Sequence, residues 1–201
     1  MAIIGVSHFL YAKYANNNGT VSYSDGGTMA KAVSANVEIE TSDNKFYADN
    51  AVAESDESFT SGTLTVKPDD LTQEVSKVLL GLVELALTGT DAITGVTDEG
   101  AKELIYDNRQ QSPFLGLGMV IKVMRSGAIK WRAVFLHKVK FAVPADAAET
   151  QGESISWQTP ELTGTIYRDD TTYEAWKSEA IFTTIDQAMA YLNTRLNIAS
   201  T

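Results

Sequence analysis

Two histidines, three tryptophans, a few acidic pairs and one basic run are the side chains of this 201-residue chain with types suited to chemistry. His8 sits in an apolar-aromatic N-terminal segment. His137 alternates with Trp131, Ala133, Phe135, Val139 and Phe141 along one stretch, the setting of a satisfied core or interface histidine. Neither has nearby in sequence the companions that a hydrolase or a zinc site needs. Asp69-Asp70 precedes a helical apolar stripe and reads as a helix start, where carboxylates accept free amides. Asp169-Asp170 follows a strand and reads as a turn. Glu54, Asp56 and Glu57 could hold a cation, but no Gly-punctuated twelve-residue loop closing on Glu surrounds them. Gly116-Leu-Gly118 lies inside a strand and opens no helix, which argues against a phosphate cradle. The expectation is a protein with no catalytic residues, no metal and no cofactor.

The tryptophans and the basic run are open to two readings each. Trp131, Trp157 and Trp176 could form a sugar-stacking face, but Trp131 and Trp157 fall on the more apolar side of their strands, which favours packing. Lys130, Arg132, Lys138 and Lys140 alternate on one expected strand and could form a patch for nucleic acid. No recognition helix or stacking motif accompanies them. Contact with an acidic neighbouring subunit explains them at least as well.

The charge distribution sharpens that second reading. Net charge is −10, yet from Asn108 to Ala145 there is no Asp or Glu, while Arg109, Lys122, Arg125, Lys130, Arg132, Lys138 and Lys140 contribute seven of the 16 bases. The other nine bases face all 26 acids, a balance of −17. Such a split either gives a mixed surface or complementary faces on copies of one chain. With no cysteine there is no disulfide framework and no thiolate site, in keeping with assembly in a reducing cytoplasm. The N-terminus has neither the basic start nor the apolar run of a signal peptide, and Val78–Leu87 is too short to span a bilayer. No membrane anchor is expected.

Alternation is what must position these groups. In Ala32–Thr41, Val33, Ala35, Val37 and Ile39 share one face and Asn36, Glu38 and Glu40 the other, a half-buried strand. Ser58–Lys67, Phe114–Arg125, Ala128–Val143, Ile155–Arg168 and Tyr173–Thr183 read as further strands, with Ser126-Gly127 a tight hairpin connection. Pro68-Asp69-Asp70 opens a short helix bearing Leu71, Val75, Val78, Leu79 and Leu82 and stopping at Gly81. Thr184-Ile-Asp-Gln187 has the form of a capping box, followed by an Ile185, Met189, Leu192, Leu196 stripe that should dock on a sheet. Asn16–Gly27 reads as a polar, turn-rich loop. Asp43–Ser58 is too long for a turn and its aromatics favour an extended hairpin arm at about 42–58. The expected fold is a single domain, mainly β: two packed antiparallel sheets (sandwich or barrel) with one short internal helix and a flanking C-terminal helix.

Four segments together resemble a known family: Lys138–Ile166 (KVKFAVPADAAETQGESISWQTPELTGTI), Lys45–Asn50 (KFYADN), Phe59–Gly81 (FTSGTLTVKPDDLTQEVSKVLLG) and Pro113–Arg132. The arrangement, spanning Ala32 to Phe182, is similar to the major tail protein, or tail tube protein, of long-tailed non-contractile phages; Val83–Gly100 departs from it. The resemblance implies a structural virion protein, assembled in the bacterial host cytoplasm, whose hexameric rings stack head to tail into a tube. It implies a tape-measure protein and tail-end proteins as partners, and genomic DNA passing through without specific binding. It further implies an arm carrying Lys45, Phe46, Tyr47, Ala48, Asp49 and Asn50 that reaches neighbouring subunits, with Lys130, Arg132, Lys138 and Lys140 also at subunit contacts. Asn36, Glu38 and Glu40 would line the channel. The competing expectation is a non-catalytic β-sandwich that binds glycan or protein on a phage tail or secretion-type particle.

Overall fold

A computed structural model describes residues 2–48, 51–87, 100–108, 110–145, 150 and 159–199. It is mainly β with antiparallel sheets and two helices, one short and internal, one C-terminal. The strands are β1 (Ala2–Asn17), β2 (Thr20–Ala30), β3 (Ala32–Thr41), β4 (Asn44–Ala48), β5 (Ala51–Asp56), β6 (Phe59–Pro68), β7 (Val83–Ala86), β8 (Lys102–Ile105), β9 (Leu115–Arg125), β10 (Ala128–Phe141), β11 (Leu162–Tyr167) and β12 (Lys177–Phe182). The helices are α1 (Gln73–Leu80) and α2 (Ile185–Leu196).

One eight-stranded sheet in the order β2-β1-β9-β10-β11-β6-β3, with β12 also on β10, supplies both layers. It curls until residues from β1, β2, β6, β9, β10 and β11 close around a single core containing Phe9, Met29, Leu64, Leu117, Leu136 and Phe141. α1 inserts Val75, Leu79 and Leu80 into that same core. A second cluster lies on the opposite side of the sheet, where Ala188, Leu192 and Leu196 of α2 cover Leu10, Val120, Ala133 and Phe135. Fully burying each of those leucines stabilises the fold by roughly 1.5–3 kcal/mol. The Gly116-Leu-Gly118 pair is explained here. A Cβ on Gly116 would stand 2.5 Å from the Tyr23 ring, and one on Gly118 3.2 Å from Leu192, so the glycines let α2 approach the sheet.

Several local expectations are corrected. Asn16–Gly27 is no loop: it forms the β1–β2 hairpin, turning at Asn18-Gly19 with both residues at positive φ (51° and 85°). Its polar residues lie in an edge strand that water can reach, so polarity hid the extended backbone. The first helix is capped by Thr72, whose hydroxyl accepts from the Val75 amide, and not by the Asp pair. Asp69 instead accepts from the Lys31 amide and Asp70 from the Leu71 amide. The second helix starts as expected, with Thr184 accepting from Gln187; the Gln187 side chain, however, takes the Thr183 hydroxyl. Val33 lies at a register irregularity and is 52% exposed, off the buried face of β3. The last strand is only Lys177–Phe182, with Tyr173 in the preceding turn. Of the Ile155–Arg168 stretch, Leu162–Tyr167 is strand; its beginning, with Trp157, lies outside the described residues. Val83–Gly100 contributes β7, which pairs with β8. Asp43–Ser58 holds the two-stranded β4–β5 ribbon.

The largest correction concerns β10. Leu136 pairs with Leu117 but Val139 with Leu115, so β10 carries one extra residue there. Trp131, Ala133 and Phe135 face α2, whereas Val139 and Phe141 lie in the barrel core with Val134 and Leu136. The single face expected from Trp131 to Phe141 is therefore two faces.

Gly81 ends α1 at φ 67°, and a Cβ there would stand 2.5 Å from the Gln111 carbonyl oxygen. Gly127 also has positive φ (78°) but open space around it. Gly81→Ala is expected to cost about 2–4 kcal/mol, combining left-handed strain with overpacking against backbone, and Gly127→Ala about 1–2 kcal/mol from strain alone. Urea unfolding of both variants measures the difference.

Candidate assembly surface

The extra residue in β10 also separates the basic side chains. Lys130 and Arg132 pair with Val123 and Ile121 and share their side of the sheet, toward the barrel core. Lys138 and Lys140, beyond the bulge, pair with Tyr167 and Thr165 on the outside. The four do not form one patch. Lys138 is engaged within its own chain: its Nζ meets Asp170 at 2.7 Å and lies 5.0 and 4.6 Å from the Tyr14 and Phe114 ring centres. Its hydrogen bond, with that of Tyr14, holds the Asp170 carboxyl below the usual carboxylate range. Burial and the bond to Asp170 push Tyr14 up to about 12. Lys140 lies 5.6 Å from the Phe114 ring centre.

The outer face of β3, β6 and β11 carries a different chemistry. Opposed residues across these strands share a side, which places Asn36, Glu38 and Glu40 beside Thr65, Thr63 and Ser61, and these beside Thr163 and Thr165. Glu38 accepts from the Asn36 amide at 2.8 Å and Glu40 from the Ser61 hydroxyl at 2.9 Å. α2 packs on β10, β9, β12, β2 and β1. The hydroxyl- and carboxylate-lined face stays exposed, and β3 ends the sheet with one edge unpaired among the described residues. The three residues expected to line a channel thus share one solvent-facing surface.

The ribbon leaves the main sheet between β3 and β6, its strands paired with each other. Lys45 is half-exposed and meets Asp43 at 2.9 Å. Phe46, Tyr47 and Ala48 belong to β4, while Asp49 and Asn50 lie outside the described residues. Asp56 is held by Ser42 and Ser58, whose hydrogen bonds lower its pKa, so it is committed to closing the ribbon's base.

Sequence reading missed the partners of His137. Its Nδ1 lies 2.9 Å from Asp169 Oδ2 and its Nε2 2.7 Å from Ser178 Oγ. The other Asp169 oxygen accepts from the Thr171 amide and hydroxyl and from the Ala175 amide. No spacing signals this cluster, because His137 and Ser178 come from the paired strands β10 and β12 and Asp169 from the turn between β11 and β12. The connectivity is that of a nucleophile, a base and an orienting acid. Ser178, however, sits inside the β10–β12 ladder opposite Phe135, not on a turn that would raise its hydroxyl beside free amides. What the chain secures is a fork. At His137 the neighbour of β10 changes from β12 to β11, and the His137 amide itself donates to Trp176. Trp176 in turn stacks on Phe59 with ring centres 4.7 Å apart, and Arg168 donates to the Phe59 carbonyl. Trp131 is half-buried against the α2 cluster and lies under Lys122. His8 stands at a β1 irregularity with φ 54° and lines a cavity of about 450 Å³ with Lys31, Asp69 and Asp70.

No family model matches the chain, and no curated protein matches it.

Burial pushes the His137 imidazole below its ordinary value, outweighing the opposing pull of Asp169. The folded state therefore prefers neutral His137 more than the unfolded state does. That stability is complete above the unfolded pKa, about 6.5, and is lost as pH falls from there through the folded value. His137→Ala, which leaves the buried Asp169 carboxylate without its ring partner, is expected to cost about 2–4 kcal/mol at neutral pH. Urea unfolding at pH 7.5 and 5.5 should show the wild type losing stability across the interval and the variant responding less.

Proposed function

We propose that the chain is a structural subunit that polymerises, as hexameric rings stacked head to tail, into the tail tube of a long-tailed non-contractile phage. The observation that carries this reading is the bare outer face of β3, β6 and β11. A surface of Asn, Thr, Ser and Glu beside an open strand edge suits the wall of a wet channel. DNA has to slide through such a channel, and lysine or arginine on the wall would hold phosphates strongly at low salt. Carboxylates repel the duplex only near the wall, because physiological salt limits their range to about 8 Å. The concentration of bases between Asn108 and Ala145 against acids elsewhere supports head-to-tail contact between copies, and a heterologous contact that does not close on itself propagates into a filament. On this reading a tape-measure protein occupies the channel during assembly, tail-end proteins bound the tube, and the location is the virion tail.

A second reading, a glycan- or protein-binding β-sandwich, is favoured by the cavity of about 770 Å³ lined by Tyr23, His137, Tyr173, Thr194 and Arg195. Tyr173 at its border is 91% exposed, as a stacking platform would be. Soluble glycans would then perturb Tyr and Trp fluorescence.

Negative-stain microscopy and sedimentation of the purified chain at rising concentration, with and without a tape-measure partner, test the main reading. Rings or tubes are expected; monomers throughout contradict it. Glu38→Lys with Glu40→Lys should leave the subunit folded and make assembled tubes retain DNA in a salt-sensitive way. Tubes carrying both lysines that release DNA like the wild type would remove these residues from the wall.

A further inference from the structure

The cavity of about 770 Å³ has a second cleft beside it, of about 370 Å³, and Tyr173 borders both. The smaller cleft is lined by Phe59, Arg168, Trp176 and Lys177. The loop that carries Tyr173 is tied down. The Asp169 amide donates to the Ala175 carbonyl, the Ala175 amide donates back to Asp169 Oδ1, and the Glu174 amide donates to the Thr171 carbonyl. Glu174 is held at φ 47°, a conformation that is costly for a residue with a side chain. The Tyr173 ring presented by this fixed loop is 91% exposed and has no ring or hydrogen-bond partner among the described residues.

The hydroxyls of the larger cavity have their protons committed. Nδ1 of His137 donates to the Asp169 carboxylate, which can only accept, so Nε2 takes the Ser178 hydroxyl hydrogen. The Thr171 hydroxyl donates to Asp169, and the Thr194 hydroxyl to the Ala190 carbonyl. All three residues line the cavity, and their oxygens keep lone pairs for a ligand that brings O–H donors. Arg195, on the same lining, lies 5.4 Å from the Tyr191 ring centre and has no carboxylate within salt-bridge distance among the described residues. In the smaller cleft the bases are already paired, Arg168 with Glu174 and Lys177 with Glu179. The place for a ligand's acid group is therefore Arg195. We propose that the two clefts bind an acidic oligosaccharide, with one sugar ring on Tyr173 and a uronate carboxylate on Arg195. A pyranose supplies the hydroxyl donors that Ser178, Thr171 and Thr194 can accept, and its C–H face suits the electron-rich face of an aromatic ring. A phosphate or a simple carboxylate meets Arg195 but leaves the hydroxyl oxygens and the Tyr173 ring unused. A guanidinium takes a carboxylate through two parallel hydrogen bonds, which orients the sugar chain across Tyr173. Because the loop is fixed before binding, little ordering cost opposes it. This inference rests on the glycan-binding reading of the cavity, names the class of sugar, and is independent of whether the chain assembles.

Isothermal titration calorimetry of the full chain with trigalacturonic acid, a hyaluronan tetrasaccharide and neutral maltotriose tests it. At least one of the two acidic chains should bind at least tenfold more tightly than maltotriose. Its monomeric uronic acid should bind at least tenfold more weakly than the chain, since one ring cannot reach both clefts. Arg195→Gln should bring the acidic ligand to the level of maltotriose. Tyr173→Ala, at a position exposed enough to leave folding intact, should weaken acidic and neutral chains alike by at least fivefold. If maltotriose binds as tightly as both acidic chains, or Arg195→Gln changes nothing, the glycan reading stands and the acidic ligand is wrong. If acetate displaces the acidic chain and Tyr173→Ala binds it as the wild type does, the site takes anions only and the sugar is wrong. If no oligosaccharide binds at millimolar concentration, both readings of the cavity fall.

Discussion

One extra residue in β10, between Leu136 and Val139, governs how this sheet presents its surfaces. Because side chains alternate with period two, a one-residue shift moves every later side chain to the other face. Ahead of the shift, Trp131, Ala133 and Phe135 give α2 an apolar bed; beyond it, Val139 and Phe141 turn inward and Lys138 and Lys140 turn out. The outside of the curled sheet is thereby divided into a helix-covered apolar half and a bare polar half. At the same place the neighbour of β10 passes from β12 to β11, and the Asp169–His137–Ser178 hydrogen bonds hold the fork.

The two halves have opposite physical requirements. The covered half depends on close approach: Leu192 and Leu196 reach the sheet only because Gly116 and Gly118 lack side chains. The bare half has no such packing. Its Thr, Ser, Asn and Glu residues satisfy one another or water, as in Asn36 to Glu38 and Ser61 to Glu40. A sheet face that stays wet needs no covering helix, and on the proposed reading such a face would form the wall of a channel.

Much of this was legible from residue order, for reasons that also explain what was not. β3 and β6 follow from alternation, broken in β3 at Val33, and α2 from Thr184 and its apolar stripe, because period and capping are local properties. The Ser126-Gly127 turn was legible for the same reason. The Asn18-Gly19 hairpin carried an equally local signal, overshadowed by the polarity of its flanks. The β10 shift left no mark in the sequence: Trp131 to Phe141 alternate without a break, and only the length of β9 opposite them fixes the extra residue. The supposed single apolar face of Trp131 to Phe141 and the supposed single basic face both follow from that one count. Asn36, Glu38 and Glu40 were found together because they need only β3 to align them.

β3 ends the sheet with one edge unpaired among the described residues, beside its exposed Asn36, Glu38 and Glu40; on the proposed reading, assembly protects this strand. Hydrogen–deuterium exchange compared between dilute and concentrated protein tests this most directly. The account predicts that amides in Ala32–Thr41 slow by at least tenfold on concentration, while the α2-covered strands exchange as before. Equal exchange of Ala32–Thr41 in dilute and concentrated protein would contradict it.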